Sequence, residues 1–146
     1  PAEQDLQHEF AAEVGDREHG EAGVILSRDP NLARQHPGDY IKGAEISIKR
    51  ALFQAKKQAA GFNPDQIVGI GVDSTGGTPL PVDRDGRPLA FDRRFTKDPA
   101  AMAWLWKDHT GVAEAAEITE LARKVRPHYL ARCGGVYSSE WFFSKI

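Results

Sequence analysis

A short turn of small and hydroxylated residues carries the clearest chemical signal in this chain. Residues 67–72 are apolar or glycine, and residues 73–78 read Asp-Ser-Thr-Gly-Gly-Thr. Small residues at a strand end let a ligand approach the backbone, and ligands of open α/β sheets lie outside the carboxyl ends of strands. The pattern indicates a binding site. The alternative is an ordinary connection whose glycines only permit positive φ.

Two further segments combine aromatic rings with polar groups. Residues 104–110 read Trp-Leu-Trp-Lys-Asp-His-Thr, and residues 137–145 read Tyr-Ser-Ser-Glu-Trp-Phe-Phe-Ser-Lys. A ring can pack on the C–H face of a sugar while neighbouring charged groups bind its hydroxyls, so both segments suit a sugar or polyol. Each also has a plainer interpretation: the first is the end of an amphipathic helix, and the second is a capped core helix.

Other reaction chemistries find no support in the residue pattern. The sequence has no Cys-x-x-Cys pair, no evident Ser-His-Asp set and no obvious pair of catalytic carboxylates. The single cysteine, Cys133, is expected to be a small buried residue rather than a nucleophile. Asp108 and His109 are adjacent and diverge on a helix, so they predict no metal site.

The elements that must position these segments form an α/β pattern. A helix is predicted after residues 36–39, ending before Gly61, and residues 67–72 are predicted as a strand covered on both faces. Residues 83–86 predict a hairpin turn joining residues 80–82 to 88–91. Three further helices are predicted: from Asp98 to about Thr110, over residues 112–123, and from Ser138 or Ser139 onward. Two segments stay undecided: residues 127–133 are helical or irregular, and residues 5–14 fit a helix or a strand.

Composition narrows the class of protein. The 146 residues suit one domain, and the formal net charge of −2 gives no indication of a nucleic-acid partner. No apolar run is long enough for a membrane span and no signal peptide is evident, so we expect no membrane partner and a cytoplasmic protein. The apolar run at residues 140–143 leads us to expect a chain cut at its C-terminus. Such a cut would expose apolar surface through which a homo-oligomer could form.

Three blocks together resemble one family. Residues 70–79, 105–110 and 134–142, in that order and spacing, are similar to the FGGY carbohydrate kinases and within them to the ribulokinase branch, and residues 36–40 also fit. The resemblance covers about residue 10 to the end. It implies transfer of the ATP γ-phosphate to the terminal hydroxyl of L-ribulose in L-arabinose breakdown. It also implies an incomplete actin-like, ribonuclease-H-like α/β fold, a mixed sheet with flanking helices.

The resemblance also implies which residues contact the sugar. Gly76 and Gly77, followed by Thr78, would shape the pocket floor and Trp106 would pack on the sugar. Asp108 and Glu140 would contact hydroxyls. On a regular helix Trp106 and Asp108 point about 200° apart, so both can face one sugar only if the helix ends or distorts near Lys107.

The remaining parts of such a kinase are expected outside this chain. Residues 1–146 would be part of the sugar-binding N-terminal domain, and the hairpin that approaches ATP, the catalytic Asp base and the C-terminal ATPase domain would be missing. ATP and Mg²⁺ are therefore expected for the full-length protein, no cofactor or metal for this piece, and no activity for the isolated chain. The alternatives are a non-catalytic sugar-binding or scaffold domain of kinase-derived fold, and a sister pentulose kinase such as xylulokinase.

Overall fold

The computed structural model describes residues 24–25, 27–73 and 76–146. Their regular elements are a two-stranded antiparallel sheet and three helices, joined by 3₁₀ turns. In chain order they are β1 (Arg34–Gln35), α1 (Pro37–Gln58), β2 (Ala103–Trp104), α2 (Val112–Val125) and α3 (Pro127–Arg132). The 3₁₀ turns are Pro64–Gln66, Leu89–Phe91, Pro99–Ala101 and Phe142–Ser144. The prediction for residues 5–14 lies outside the described residues.

Helix α1 confirms the strongest sequence prediction. Pro37 occupies the first helical turn, where its missing N–H is harmless, and the ring Nδ1 of His36 accepts a 3.0 Å hydrogen bond from the Gly38 amide. Lys56 and Lys57 lie in the last turn, where cations complement the helix dipole. Several of its apolar residues, among them Ile41, Ile48 and Phe53, are exposed, and within this helix only Pro37 and Gly43 are buried.

Backbone hydrogen bonds join four short segments of the described chain. Arg34 pairs with Trp104 and Gln35 with Ala103, and Val24 forms a bridge to Gln35. The Trp104 amide donates to the Pro79 carbonyl at 3.0 Å, which joins a fourth segment to these three. Next to this arrangement lies a small core of Ala90, Ala101 and Met102, with Ile25, Leu89 and Phe95 packed around it. The hydrogen bond between Trp104 and Pro79 therefore brings the 77–79 segment alongside residues 104–106.

The strand predicted over residues 67–72 is wrong for this structure. These residues have no regular structure, and the side chains of Val68, Ile70 and Val72 are largely exposed. A strand needs neighbours to satisfy its N–H and C=O groups, and an apolar strand also needs cover on its faces. Within the described part of the chain, residues 68–73 have no backbone partner of this kind.

Two predicted helices are also wrong. Asp98 caps as expected, accepting from the Ala100 amide at 2.9 Å, but only the 3₁₀ turn Pro99–Ala101 follows. The chain then extends as β2 because the backbone of β1 supplies hydrogen-bond partners. After Ser138, the chain forms a loop and the turn Phe142–Ser144 instead of a helix. Tertiary hydrogen bonding overrides the local helical pattern in both cases.

The two other helix predictions are confirmed, and the hairpin prediction is confirmed at its turn. The Val82–Pro88 bridge and the hydrogen bond from the Asp83 amide to the Arg87 carbonyl form the expected turn, but the predicted pairing stops there because Leu89–Phe91 is a 3₁₀ turn and not a strand. Helix α2 extends two residues beyond the predicted limit, and residues 127–132 are helical. Gly134 and Gly135 break the chain with φ of 74° and 90°. None of the described helices has the length and apolar character needed to cross a membrane.

Candidate functional site

The ammonium group of Lys145 joins two of the three candidate segments. Its Nζ donates to the carbonyl oxygens of Leu105 at 2.7 Å, Gly77 at 3.1 Å and Trp106 at 3.3 Å. The residue is only 5% exposed. Lys145 itself belongs to the third segment, so all three segments predicted from the sequence meet at one cation.

Gly77, Trp106 and Glu140 lie side by side at this meeting point. A methyl group placed on Gly77 would lie 3.5 Å from the Glu140 carbonyl oxygen and 3.9 Å from Trp106 Cβ. Gly77 has φ of 79°, a conformation that glycine adopts without strain. The structure therefore brings together three residues that are 29 or more positions apart in the sequence.

His109 completes the surface, although from the sequence it was considered only as a metal ligand and rejected. Its Nδ1 lies 2.9 Å from Ser139 Oγ, and its Nε2 lies 3.6 Å from Glu140 Oε1. Both His109 and Glu140 are partly exposed. We call Gly77, Trp106, His109 and Glu140 the junction surface. On this surface the His109 imidazole and the Glu140 carboxylate lie together, and Gly77 and the half-exposed Trp106 lie next to the Glu140 backbone.

Gly76 and Thr78 flank Gly77 at the edge of the junction surface. Gly76 is exposed, and a methyl group on it would meet nothing within 4 Å. Thr78 is half-buried. The predictions that these two residues help to shape a sugar pocket stay predictions.

Trp106 and Asp108 point to different environments. The Trp106 side chain is 51% exposed, whereas Asp108 is fully buried. Because these residues follow β2 and are not helical, the expected helical separation of the two side chains does not apply. Trp106 is available to a ligand. Both carboxylate oxygens of Asp108 accept hydrogen bonds from the protein. The direct contact between Asp108 and a sugar hydroxyl stays a prediction.

Asp108 instead anchors the backbone under the junction surface. Its carboxylate pairs with the buried guanidinium of Arg34 and accepts from the Ala33 amide at 2.7 Å and from Thr110. Burial acts to raise the pKa of Asp108, but the hydrogen bonds from Arg34, Thr110 and Ala33 outweigh it and lower the pKa from 3.8 to about 2. Arg34 also stacks on the Trp104 ring, with Cζ 3.4 Å from the ring centroid.

The segment that carries Glu140 and Lys145 is a closed loop anchored on α2. The Tyr137 amide donates to Thr119 Oγ1 at 2.9 Å, and Ser144 Oγ donates to the carbonyls of Ser138 and Trp141. Gly111, just before α2, has no room for a side chain because a Cβ there would clash with the Ser144 carbonyl. The loop is thereby fixed at its start and at its end.

The environment of Lys145 contains charges of both signs. Burial lowers the pKa of the Lys145 ammonium, Asp108 acts to raise it, Arg34 acts to lower it, and Glu140 acts to raise it. The sequence carries only a weak signal for this residue, a lysine close behind an apolar run. The role of Arg34 is even harder to see in the sequence, because its partner Asp108 is 74 positions away.

Comparison with known proteins shows what this chain is similar to. No family model matches the chain. A ribulokinase of Vibrio parahaemolyticus is 46% identical over 124 residues, which is 84% of this chain and 21% of that protein. The ribulokinase of Shouchella clausii is 41% identical over 120 residues, covering 82% of this chain and 20% of that protein.

The chain is homologous to a segment of the ribulokinases. The ribulokinase of Geobacillus thermodenitrificans extends the match to 144 residues at 37% identity, which is 95% of this chain and 25% of that protein. The chain thus spans about a fifth to a quarter of the length of the curated ribulokinases it matches. The resemblance carried by the three sequence blocks is confirmed.

The described residues offer no evident place for a metal ion. Within residues 24–25, 27–73 and 76–146, no three His, Cys, Asp or Glu side chains cluster in a way that could hold one. Asp108 is committed to Arg34, and the Glu140 carboxylate has only His109 as a close candidate co-ligand.

Proposed function

We propose that this chain is part of the sugar-binding domain of a carbohydrate kinase, and that the junction surface forms one wall of its sugar site. The observation that supports this most directly is the convergence of Gly77, Trp106 and Glu140, which belong to the three segments that carry the ribulokinase resemblance. The homology to ribulokinases over most of the chain supports the same reaction class.

Each group on the junction surface has a task in sugar binding. The exposed Trp106 ring packs on the C–H face of the sugar, and Gly77 leaves room for the sugar to approach the backbone. The Glu140 carboxylate accepts hydrogen bonds from sugar hydroxyls, and His109 limits the orientations open to that carboxylate. Gly76 and Thr78 border the same pocket. Asp108 acts on the sugar through the backbone it anchors.

The substrate we propose is L-ribulose, with ATP as the phosphoryl donor and Mg²⁺ bound to the ATP. The fold we propose for the intact domain is the actin-like, ribonuclease-H-like α/β fold, with the ATPase domain and the catalytic base in segments other than residues 1–146. In that arrangement the described residues select and orient the sugar. They take no part in proton abstraction or in neutralising the phosphates.

A coupled ATP assay on the intact protein that contains these residues tests the proposal. Ketopentoses and polyols are compared at equal concentration, and kcat/KM is measured for each. We expect the highest kcat/KM for L-ribulose. A higher value for xylulose or glycerol overturns the substrate assignment, and no ATP-dependent phosphorylation of any sugar favours a binding or scaffold domain. The isolated 146-residue chain is expected to phosphorylate nothing, so measurable turnover by it contradicts our division of roles.

A further inference from the structure

We propose that Lys145 is a positioning residue for the sugar site, a role that deepens the proposed function and rests on it. Its ammonium bonds the Gly77 carbonyl on one segment and the Leu105 and Trp106 carbonyls on another. The hydrogen bond from the Trp104 amide to the Pro79 carbonyl joins the two segments two residues away, and the Lys145 ammonium bridges Gly77 and Trp106 themselves. We infer that this cation fixes the spacing between the glycine and the exposed ring.

The geometry shows why a cation is needed at this point. Three carbonyl oxygens converge with their negative ends toward one another, which is repulsive unless a donor lies between them. A lysine ammonium carries three N–H donors and no acceptor, so it satisfies all three oxygens at 2.7 to 3.3 Å. An apolar side chain in its place leaves three buried or half-buried carbonyls without that partner.

The other neighbours of Lys145 hold its side chain in this position. Ser144, the preceding residue, is buried, and its hydroxyl is bonded to the loop backbone. The Gly111 backbone packs directly on Ser144, in a space that admits no side chain. Lys145 therefore reaches the junction surface from a rigid base, and displacement of its ammonium would move Gly77 and Trp106 apart rather than move the loop.

Lys145 acts on the sugar indirectly. Its donors are directed at backbone carbonyls, and its side chain is almost fully buried. Its loss should therefore weaken sugar binding through a displaced Trp106, with little effect on ATP binding. A misplacement of about 1 Å in a binding site can lower activity by about a hundredfold.

The test compares three variants of the intact protein: Lys145→Met, Lys145→Arg and the exposed-lysine control Lys97→Met. Methionine keeps the length of the side chain and removes every donor, whereas arginine keeps the charge and the donors. We expect Lys145→Met to raise the KM for the sugar by at least about tenfold and to change the KM for ATP by less than about twofold. Lys145→Arg should recover part of the loss, and Lys97→Met should match the parent protein.

A second readout needs no sugar and no turnover. With 5-fluorotryptophan incorporated, the ¹⁹F resonance of Trp106 should move in Lys145→Met and stay in place in Lys97→Met. An unmoved Trp106 resonance, or an unchanged KM for the sugar in a destabilised Lys145→Met protein, overturns the positioning role. A moved resonance in a protein that phosphorylates no sugar keeps the positioning role and overturns the proposed function instead. If Lys145→Met does not fold, the same comparison is made with Lys145→Gln, which keeps two donors.

Discussion

Lys145 Nζ lies 3.1 Å from the carbonyl oxygen of Gly77, a residue 68 positions earlier in the chain. This contact joins the glycine-rich turn to the last segment, and the bonds from the same ammonium to Leu105 and Trp106 add the middle one. Three segments that each suggested little alone thus form one surface. The predictions below test what that surface binds and what holds it together.

The substitution Gly77→Ala should weaken sugar binding beyond its effect on stability. Alanine at φ of 79° is strained by about 1–2 kcal/mol, and the added methyl would fill the space between Glu140 and Trp106. We expect the KM for the sugar to rise by about three- to tenfold. Steady-state kinetics and urea unfolding measure the two effects separately.

Gly86→Ala is the matched control for that experiment. Gly86 has φ of 78°, and a methyl group on it would meet nothing within 4 Å. Both variants should lose a similar free energy of unfolding, and only Gly77→Ala should change the KM for the sugar. An equal change in KM for both variants would show that Gly77 acts through stability alone.

Trp106→Ala should remove most of the sugar affinity and little of the stability. The Trp106 side chain is 51% exposed, so its removal uncovers little core, but a sugar loses the aromatic face against which it packs. We expect a rise in the sugar Kd of about tenfold or more, measured by calorimetry on the intact protein. The control is Tyr129→Ala, an exposed aromatic residue on α3 outside the junction surface. Equal effects of the two variants on the Kd would exclude Trp106 from the site.

Glu140→Gln should weaken sugar binding while keeping the shape of the side chain. The amide replaces a charged acceptor with a neutral one, and hydrogen bonds to charged groups are the stronger kind. We expect the KM for the sugar to rise by about five- to twentyfold, whereas Glu117→Gln on the exposed face of α2 should have no effect. His109→Gln should give a smaller rise, because its Nε2 lies 3.6 Å from the Glu140 carboxylate and acts by orienting it. A larger effect for His109→Gln than for Glu140→Gln would reverse these two roles.

The buried pair of Arg34 and Asp108 should make the protein sensitive to acid. The pKa of Asp108 is lowered from 3.8 to about 2 in the folded state, so its stabilising contribution is complete above about pH 5 and is lost as the pH falls toward 2. The shift corresponds to about 2 kcal/mol. Urea unfolding measured from pH 5 to pH 2 should show this loss, and Asp108→Asn should reduce the slope.

At neutral pH Asp108→Asn should also be strongly destabilising. It leaves the buried Arg34 guanidinium without its carboxylate, a change that typically lowers the free energy of unfolding by about 3–5 kcal/mol. Asp85→Asn is the control, because Asp85 and its partner Arg84 are both exposed, with Arg84 Nε 3.9 Å from Asp85 Oδ2. We expect this variant to change the free energy of unfolding by less than about 0.5 kcal/mol. Similar losses in both variants would argue against the anchoring role of Asp108.

Local signals were sufficient for some elements and not for others. The start of α1 was predictable because Pro37 and the polar residues around it define a helix N-terminus, and α2 was predictable from its periodicity. The region after Asp98 was not, because its pattern is helical while β1 supplies backbone partners from far along the chain. Residues 67–72 read as a buried strand, but among the described residues the neighbours required for a strand are missing.

The candidate site shows the same division. Gly77, Trp106 and Glu140 were predicted from the resemblance, and the structure brings them together. Lys145 and His109 were missed, because their roles depend on carbonyls and a carboxylate supplied by other segments. Asp108 was chosen for the right segment, but only the structure reveals its partner Arg34 and its complete burial.

The most direct test of the central claim is a ¹⁹F NMR titration of the intact, 5-fluorotryptophan-labelled protein with L-ribulose. Trp106 and Trp104 are assigned with phenylalanine variants. Trp104 is an internal control, because its indole donates to the Ala100 carbonyl and its ring faces Arg34. We predict a saturable shift of the Trp106 resonance at the sugar concentrations that support phosphorylation, with Trp104 unchanged. An unshifted Trp106 resonance at saturating L-ribulose would contradict the placement of the sugar on the junction surface.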